Sequence, residues 1–245
     1  MRPNRFLPLL VFGLTTQICL AQSESLKAQN EGSKDVEQAE TLMEYHRPHD
    51  AIELLNRAIE LNPDNINAHL QRANALVSLD EVKPALIDLD IVIKHGKNGW
   101  AHELRAKALY ALGKPEEALS EASLAVEQSV QAKNRKNRLY LRANLYRYLK
   151  KPEKALPDLE AALALEQKPT KNFYYNRANA YFDMGQYQKA VDDFTSALAI
   201  MKLSDNERGH YYGLRAAAYK KLGKRDLADA DNQKANAAAK SQLGD

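Results

Sequence analysis

Six histidines, one cysteine and a recurrent pairing of arginine with a carboxylate are the residues of this 245-residue chain whose types could do chemistry. His46 and His49 stand three apart around Pro48, half of a metal motif with no third ligand in view. His69 and His102 lie 33 residues apart at what proves to be one place in a repeating pattern, which points to packing in a core or at an interface. His95 and His210 are isolated. Glycine-rich phosphate loops and Ser-His-Asp arrangements are not found. No catalytic constellation emerges, so the expectation is a protein that is not an enzyme and needs no cofactor and no metal.

The arginines are more regular. Arg72 precedes Asp88 by sixteen residues, and the interval returns in Arg105 and Glu121, Arg142 and Asp158, Arg177 and Asp193, and Arg215 and Asp231. At the corresponding first positions stand Gln38 and Leu54, so both partners are missing together. Joint presence and joint loss predict contact: five bridges, each spanning two antiparallel helices within one unit. Exposed pairs of this kind contribute only about 0–1 kcal/mol each. Their expected role is to fix which helix faces which, not to meet a ligand.

The elements that carry these residues follow from the same spacing. The dipeptide Arg-Ala recurs at Arg72, Arg105, Arg142, Arg177 and Arg215, in steps of 33, 37, 35 and 38 residues, and Gln38-Ala39 sits 34 residues before the first. A second alanine follows twelve residues after each first one, as Ala51, Ala85, Ala118, Ala155, Ala190 and Ala228. Apolar residues between them keep helical spacing. Each unit therefore reads as two helices joined by a tight turn, with units over about 32–65, 66–98, 99–132, 136–169, 171–204 and 209–242. Gly113, Gly185 and Gly223 hold the turn position, where a left-handed residue closes a helix. Pro48, Pro115 and Pro152 each follow two residues after their own turns, at the start of the second helix, where a missing N–H costs nothing. Ser204 with Glu207 has the form of a capping box. Pro157 falls inside a predicted helix and implies a kink or a late start. The two longest steps imply one extra helical turn before the fourth and sixth units; the basic run Lys133 to Arg138 fills the first and reads as a solvated helix end.

Residues 1–21 are a different kind of text. Arg2 and Arg5 precede an apolar stretch from Phe6 to Leu14, and small residues end it at Ala21, the order of a secretory signal peptide. The stretch is short for a membrane span, and Ile18 before Cys19 does not suit a lipoprotein anchor. Cleavage near Ala21-Gln22 would send the protein to the periplasm or out of the cell, with no membrane attachment. It would also remove the only cysteine and lower the formal charge from +3 to +1, since 35 − 2 = 33 basic residues then face 32 acidic ones. A balance so near zero lacks the basic bias of a nucleic-acid binder. Residues 22–31 read as a flexible polar linker, and the polar helix from about Leu227 to Lys240 as a cap facing water.

The whole pattern resembles the tetratricopeptide repeat, a unit of about 34 residues. Its fifth copy runs Asn176-Arg177-Ala178-Asn179-Ala180-Tyr181 through Gly185, Tyr187 and Ala190 to Phe194-Thr195-Ser196-Ala197-Leu198. The resemblance implies an all-α, right-handed α-α superhelical solenoid of about six repeats, whose first helices line a concave groove for a peptide or protein partner. Carried over by position, that groove offers Asn67 and Asn74, then Trp100, Lys107 and Tyr110. The next two units add Tyr140, Asn144, Arg147 and Tyr148, then Asn172, Tyr175, Asn176, Asn179 and Phe182. Asparagine amides both donate and accept, so a row of them could hold a peptide backbone whatever its side chains; internal hydrogen bonding is the alternative. The family's lysine clamp for C-terminal carboxylates is absent, with Val36 and Leu70 at its first positions. Two functions fit: a peptide- or protein-binding adaptor using the groove, or a structural, self-assembling envelope component that makes contact through the solenoid ends or the convex face. A homo-oligomer fits the second.

Overall fold

The computed structural model describes residues 7–166, 168–200 and 203–240, with side chains from residue 22 onward. All the regular structure among them is helical. The chain divides into two compact units, residues 1–112 and 113–245. The first contains α1 (Leu7–Glu44), α2 (Pro48–Leu61), α3 (Ile66–Ser78), α4 (Val82–Lys94) and α5 (Gly99–Ala111). The second contains α6 (Pro115–Glu127), α7 (Ala132–Tyr148), α8 (Ala155–Glu166), α9 (Lys171–Asp183), α10 (Tyr187–Leu198), α11 (Asp205–Lys221) and α12 (Arg225–Lys240). Within each unit, consecutive helices pack against one another along the chain.

Small residues set how closely the helices approach. Ala39 and Ala51, Ala73 and Ala85, Ala143 and Ala155, and Ala178 and Ala190 are wholly buried, one on each helix of a pair. Larger side chains fill the space beside them: Leu55 between α1 and α2, Leu89 and Leu104 in the first unit, and Leu159, Phe173 and Phe194 in the second. A larger side chain at the alanine positions would force a packed pair apart.

The helix ends are set by local chemistry. Asn65, Asn98 and Thr170 accept backbone N–H bonds as N-caps of α3, α5 and α9. Ser204 and Glu207 form the capping box at the start of α11. Gly113, Gly185 and Gly223 adopt φ of 73°, 74° and 74° at their turns. The same left-handed turn is made without glycine by His46, Asp80 and Lys150, at φ of 57°, 61° and 59°. The extra turns appear as expected: α7 and α11 have 17 residues, where α3, α5 and α9 have 13. Pro157 produces a late start. Residues Pro152–Lys154 form a 3-10 turn, and α8 begins only at Ala155, which leaves Pro157 in its first turn where no intrahelical N–H is required.

Two features depart from the sequence reading. Residues 22–31 belong to the continuous helix α1 and are largely exposed. Arg138, in the basic run expected to be solvated, is buried; its Nη1 donates to Ser129 Oγ at 2.8 Å and faces the Ala125 carbonyl at 3.4 Å, both in the last turn or just past the end of α6. The negative end of a helix dipole lies there, and a cation is favoured beside it. Residues 1–6 of the leader and 241–242 of the last repeat lie outside the described residues.

Candidate functional site

The repeating arginines are consumed within the fold. Arg72, Arg142, Arg177 and Arg215 each grip the acid sixteen residues on through Nε and Nη2, in two-pronged bonds of 2.6–2.9 Å. Those bonds hold the guanidinium protons: the pKa of Arg142, Arg177 and Arg215 is raised first by the bonded aspartate. The spare Nη1 turns back to the preceding helix, reaching Asn56 from Arg72, Glu160 from Arg177 and Thr195 from Arg215. Arg105 likewise meets Asp90 at 2.7 Å; its acid, Glu121, belongs to the other unit. The first helix pair has a bridge after all, with the signs exchanged. Asp35 on α1 is buried and accepts two bonds from Arg57 on α2, 22 residues away.

The histidines divide similarly. His69 is buried, with Nδ1 2.7 Å from Asp88 Oδ1 and Nε2 2.9 Å from the Pro63 carbonyl. His102 is buried too, and His95 bonds the Ile91 carbonyl of its own helix. His46 and His49 are exposed at a turn. Among the described residues no three His, Cys, Asp or Glu side chains are grouped to hold a metal ion.

The predicted groove residues fall into three groups. Asn67 lies exposed with its amide 3.4 Å from Glu40, Lys107 pairs with Glu103 at 2.7 Å, and Tyr110 is exposed, while Asn74 is half-buried and Trp100 packs on the core of the first unit. In the second unit, several are turned to internal tasks. Tyr140 is buried and donates to Glu166, whose carboxylate also takes Thr170 and Lys136. Burial, then that carboxylate, pushes the Tyr140 phenol well above its usual range. Asn176 is buried, and Asn176 and Asn179 each donate to the carbonyl four residues back in α9. Arg147 bonds Asp183 at 2.8 Å and lies 3.4 Å from Asn144 Oδ1, Phe182 meets the ring of Tyr187, and Tyr148 is exposed.

Asn172 and Tyr175 are brought together. They line a cleft of about 370 Å³ with Asn206, Glu207, His210 and Tyr211 of α11. The rings of Tyr175, His210 and Tyr211 form a cluster with centroids 5.7–6.1 Å apart. Glu207 is held ionised, its pKa lowered to about 2 by the Lys171 ammonium first and the Ser204 backbone N–H second. Burial raises the Tyr211 phenol, and Glu207 adds to the effect. Sequence reasoning missed the α11 side. His210 stands in the sixth repeat where Asn172 stands in the fifth, so extending the register by one unit reaches it. Asn206 and Glu207 belong to the extra turn of α11, which no shared register describes.

Repeat models of the tetratricopeptide family match residues 49–80, 137–169 and 172–201. The chain is a tetratricopeptide repeat protein. Among solved structures it resembles a tetratricopeptide repeat protein from Parabacteroides merdae, with 22% identity, a TM-score of 0.70, and coverage of 85% of this chain and 80% of that one. PilF of Pseudomonas aeruginosa is similar at 17% identity and a TM-score of 0.67, over 84% of this chain and 90% of that one. YrrB, described as a TPR protein with an unusual peptide-binding site, shares 19% identity with a TM-score of 0.57, over 75% and 91%. These likenesses establish the all-α helical-repeat fold, and the three repeat matches support a protein-interaction scaffold in general. No curated protein matches the chain in sequence.

Proposed function

We propose that this scaffold holds an extended peptide segment of a partner protein on the first-helix face of its second unit, and that it catalyses nothing. The observation that carries the reading is the cleft between α9 and α11. Its amides and the His210 ring open to solvent, whereas the repeating arginine–aspartate pairs are spent inside the helix pairs. Tyrosine beside polar groups is common chemistry for anchoring a partner. The peptide site described for YrrB fits the same use of the fold. The leader-like residues 1–21 favour action in the periplasm or outside the cell; N-terminal sequencing of the exported chain, with Gln22 first, tests that.

The test is recovery of a partner from envelope extract by the full chain, beside a variant with Asn172, Asn206 and His210 changed to alanine. All three are exposed, so the variant keeps the fold. A partner held by the first and lost by the second supports the reading; equal recovery moves the contact elsewhere. One observation favours the self-assembling alternative: an apolar cleft of about 320 Å³ in the first unit, where Ile52, Leu76, Pro84 and exposed Ile87 meet. A mass that rises with concentration in sedimentation, and falls back in Ile87→Ser, is its signature.

A further inference from the structure

Lys171 of α9 reaches across to Glu207 of α11, and both side chains remain more than a third exposed. The two oxygens of Glu207 have different duties. Oε2 is fixed by the Ser204 N–H at 2.9 Å and the Ser204 hydroxyl at 3.1 Å, so the carboxylate cannot swing away. Oε1 holds the ammonium. Beside this carboxylate lies the cluster of half-buried Tyr175, exposed His210 and buried Tyr211, and a tyrosine ring face attracts positive charge. A ligand carboxylate entering here would meet ring faces and an anion, and the single lysine is already neutralised. A ligand cation would meet a fixed anion, π-faces, and the amide oxygens of Asn172 and Asn206.

We propose that the cleft reads a basic side chain in the partner's extended segment, arginine before lysine, which displaces Lys171 from Glu207 and lies against the exposed edge of the ring cluster. Lys171 is then a resident stand-in that keeps the carboxylate paired until the partner arrives. Displacing it costs little, because an exposed ion pair is weak and the freed lysine regains water. Arginine has the advantage because its planar fork stacks on rings and pairs with a carboxylate at once.

Gly213 supplies the room. It lies one turn beyond His210 on the same face of α11, at the place where α9 has Tyr175 and α7 has Tyr140. A side chain added there meets nothing within 4 Å, so packing does not explain a glycine in the middle of this helix. Gly209, one turn earlier, is the contrast: its added carbon would come within 3.0 Å of Ala238 Cβ. A bare backbone at Gly213 lets an extended chain come close to α11.

This inference rests on the peptide-holding reading and is tested separately from it. The full chain is titrated with fluorescein-labelled serine–alanine peptides carrying paired arginines, paired lysines, paired glutamates or paired phenylalanines, read by anisotropy at low and high salt. The arginine peptide is expected to bind best, with lysine next and weakening in salt. Glu207→Gln keeps the capping box, which glutamine also serves, and should weaken arginine binding about three- to tenfold. Lys171→Met removes the competitor and should tighten it by a similar factor. Gly213→Tyr should remain folded and block every peptide. If the glutamate peptide wins and Lys171→Met weakens it, the cleft reads anions and the inference is overturned while peptide holding stands. Binding without charge preference that Gly213→Tyr still blocks has the same consequence. If no peptide of any composition shifts the signal, both the inference and the peptide-holding reading fall.

Discussion

Changing Arg177 to methionine separates the repeating charge pair from the packing around it. The guanidinium donates twice to Asp193 at 2.8 Å and once to Glu160 at 3.2 Å, and lies 4.5 Å from the centre of the Phe173 ring. Methionine keeps much of the stem and its contact with that ring but leaves Asp193, whose side chain is only 7% exposed, without its countercharge. Removing one partner of a buried pair costs about 3–5 kcal/mol. Arg177 is 24% exposed, so water can enter as it leaves, and the lower end of the range, about 3 kcal/mol, is expected. Asp193→Leu should cost less, about 1 kcal/mol, because the released guanidinium can turn toward water and Glu160. The double variant should resemble the aspartate change alone, giving a coupling of about 3 kcal/mol.

Urea unfolding of the four proteins measures these values, with hydrogen exchange of α9 and α10 amides as a local reading, because repeat proteins need not unfold as one cooperative whole. Equal costs for the two single changes, or a coupling below about 0.5 kcal/mol, would refute the reasoning. The pair would then be a surface contact that the helices merely tolerate.

Three further outcomes follow from the turns, the glycines and the capping carboxylate. His46→Gly and Lys150→Gly should each stabilise the chain by about 1 kcal/mol in urea unfolding, since both residues hold a left-handed φ; Asp80→Gly should gain less, because aspartate tolerates that region better. Gly213→Ala should stabilise by about 1 kcal/mol through helix propensity, whereas Gly209→Ala, crowded by Ala238 and the Ala235 carbonyl, should lower the melting temperature. Glu207 has a folded pKa of about 2, below its unfolded value, so its contribution is full above about pH 4.5 and is lost as the pH falls toward 2. Glu207→Gln should therefore flatten the decline of stability across that window, while an unchanged slope would show that the carboxylate is not held.

Periodicity made most of the helical framework legible. The twelve-residue spacing of alanines located the crossing of the helix pairs within each unit, and the sixteen-residue spacing of arginine and acid identified four pairs that do meet. The Asp35–Arg57 bridge escaped because its helices exchange signs and its interval changes to 22, so a search for the common spacing returned only Gln38 and Leu54. The turns were half legible: glycine announced three left-handed residues, but His46, Asp80 and Lys150 adopt the same geometry under tertiary constraint that their types do not advertise. The asparagine row was legible as a row but not as a set of free amides. Whether an amide bonds its own helix four residues back or faces a ligand depends on rotamer, and sequence does not carry that.

What recurs in every repeat is therefore poor evidence for a ligand site here, and what breaks the recurrence is better. An arginine with each of its nitrogens already engaged by Asp193 and Glu160, or by Asp231 and Thr195, is held inside the fold and has little to offer a partner. Lys136 of α7 and Lys171 of α9, at equivalent places 35 residues apart, show the difference. Lys136 meets Glu166, which is almost wholly buried and shared with Tyr140 and Thr170, so that cluster is closed to a newcomer. Lys171 instead meets Glu207, which only the extra turn of α11 can present, and there the pair stays open to water beside three aromatic rings. A one-turn insertion thus converts a structural lysine–glutamate pair into an exchangeable one. Deleting the four residues of that turn should leave the other helix pairs intact and abolish recognition of a basic segment.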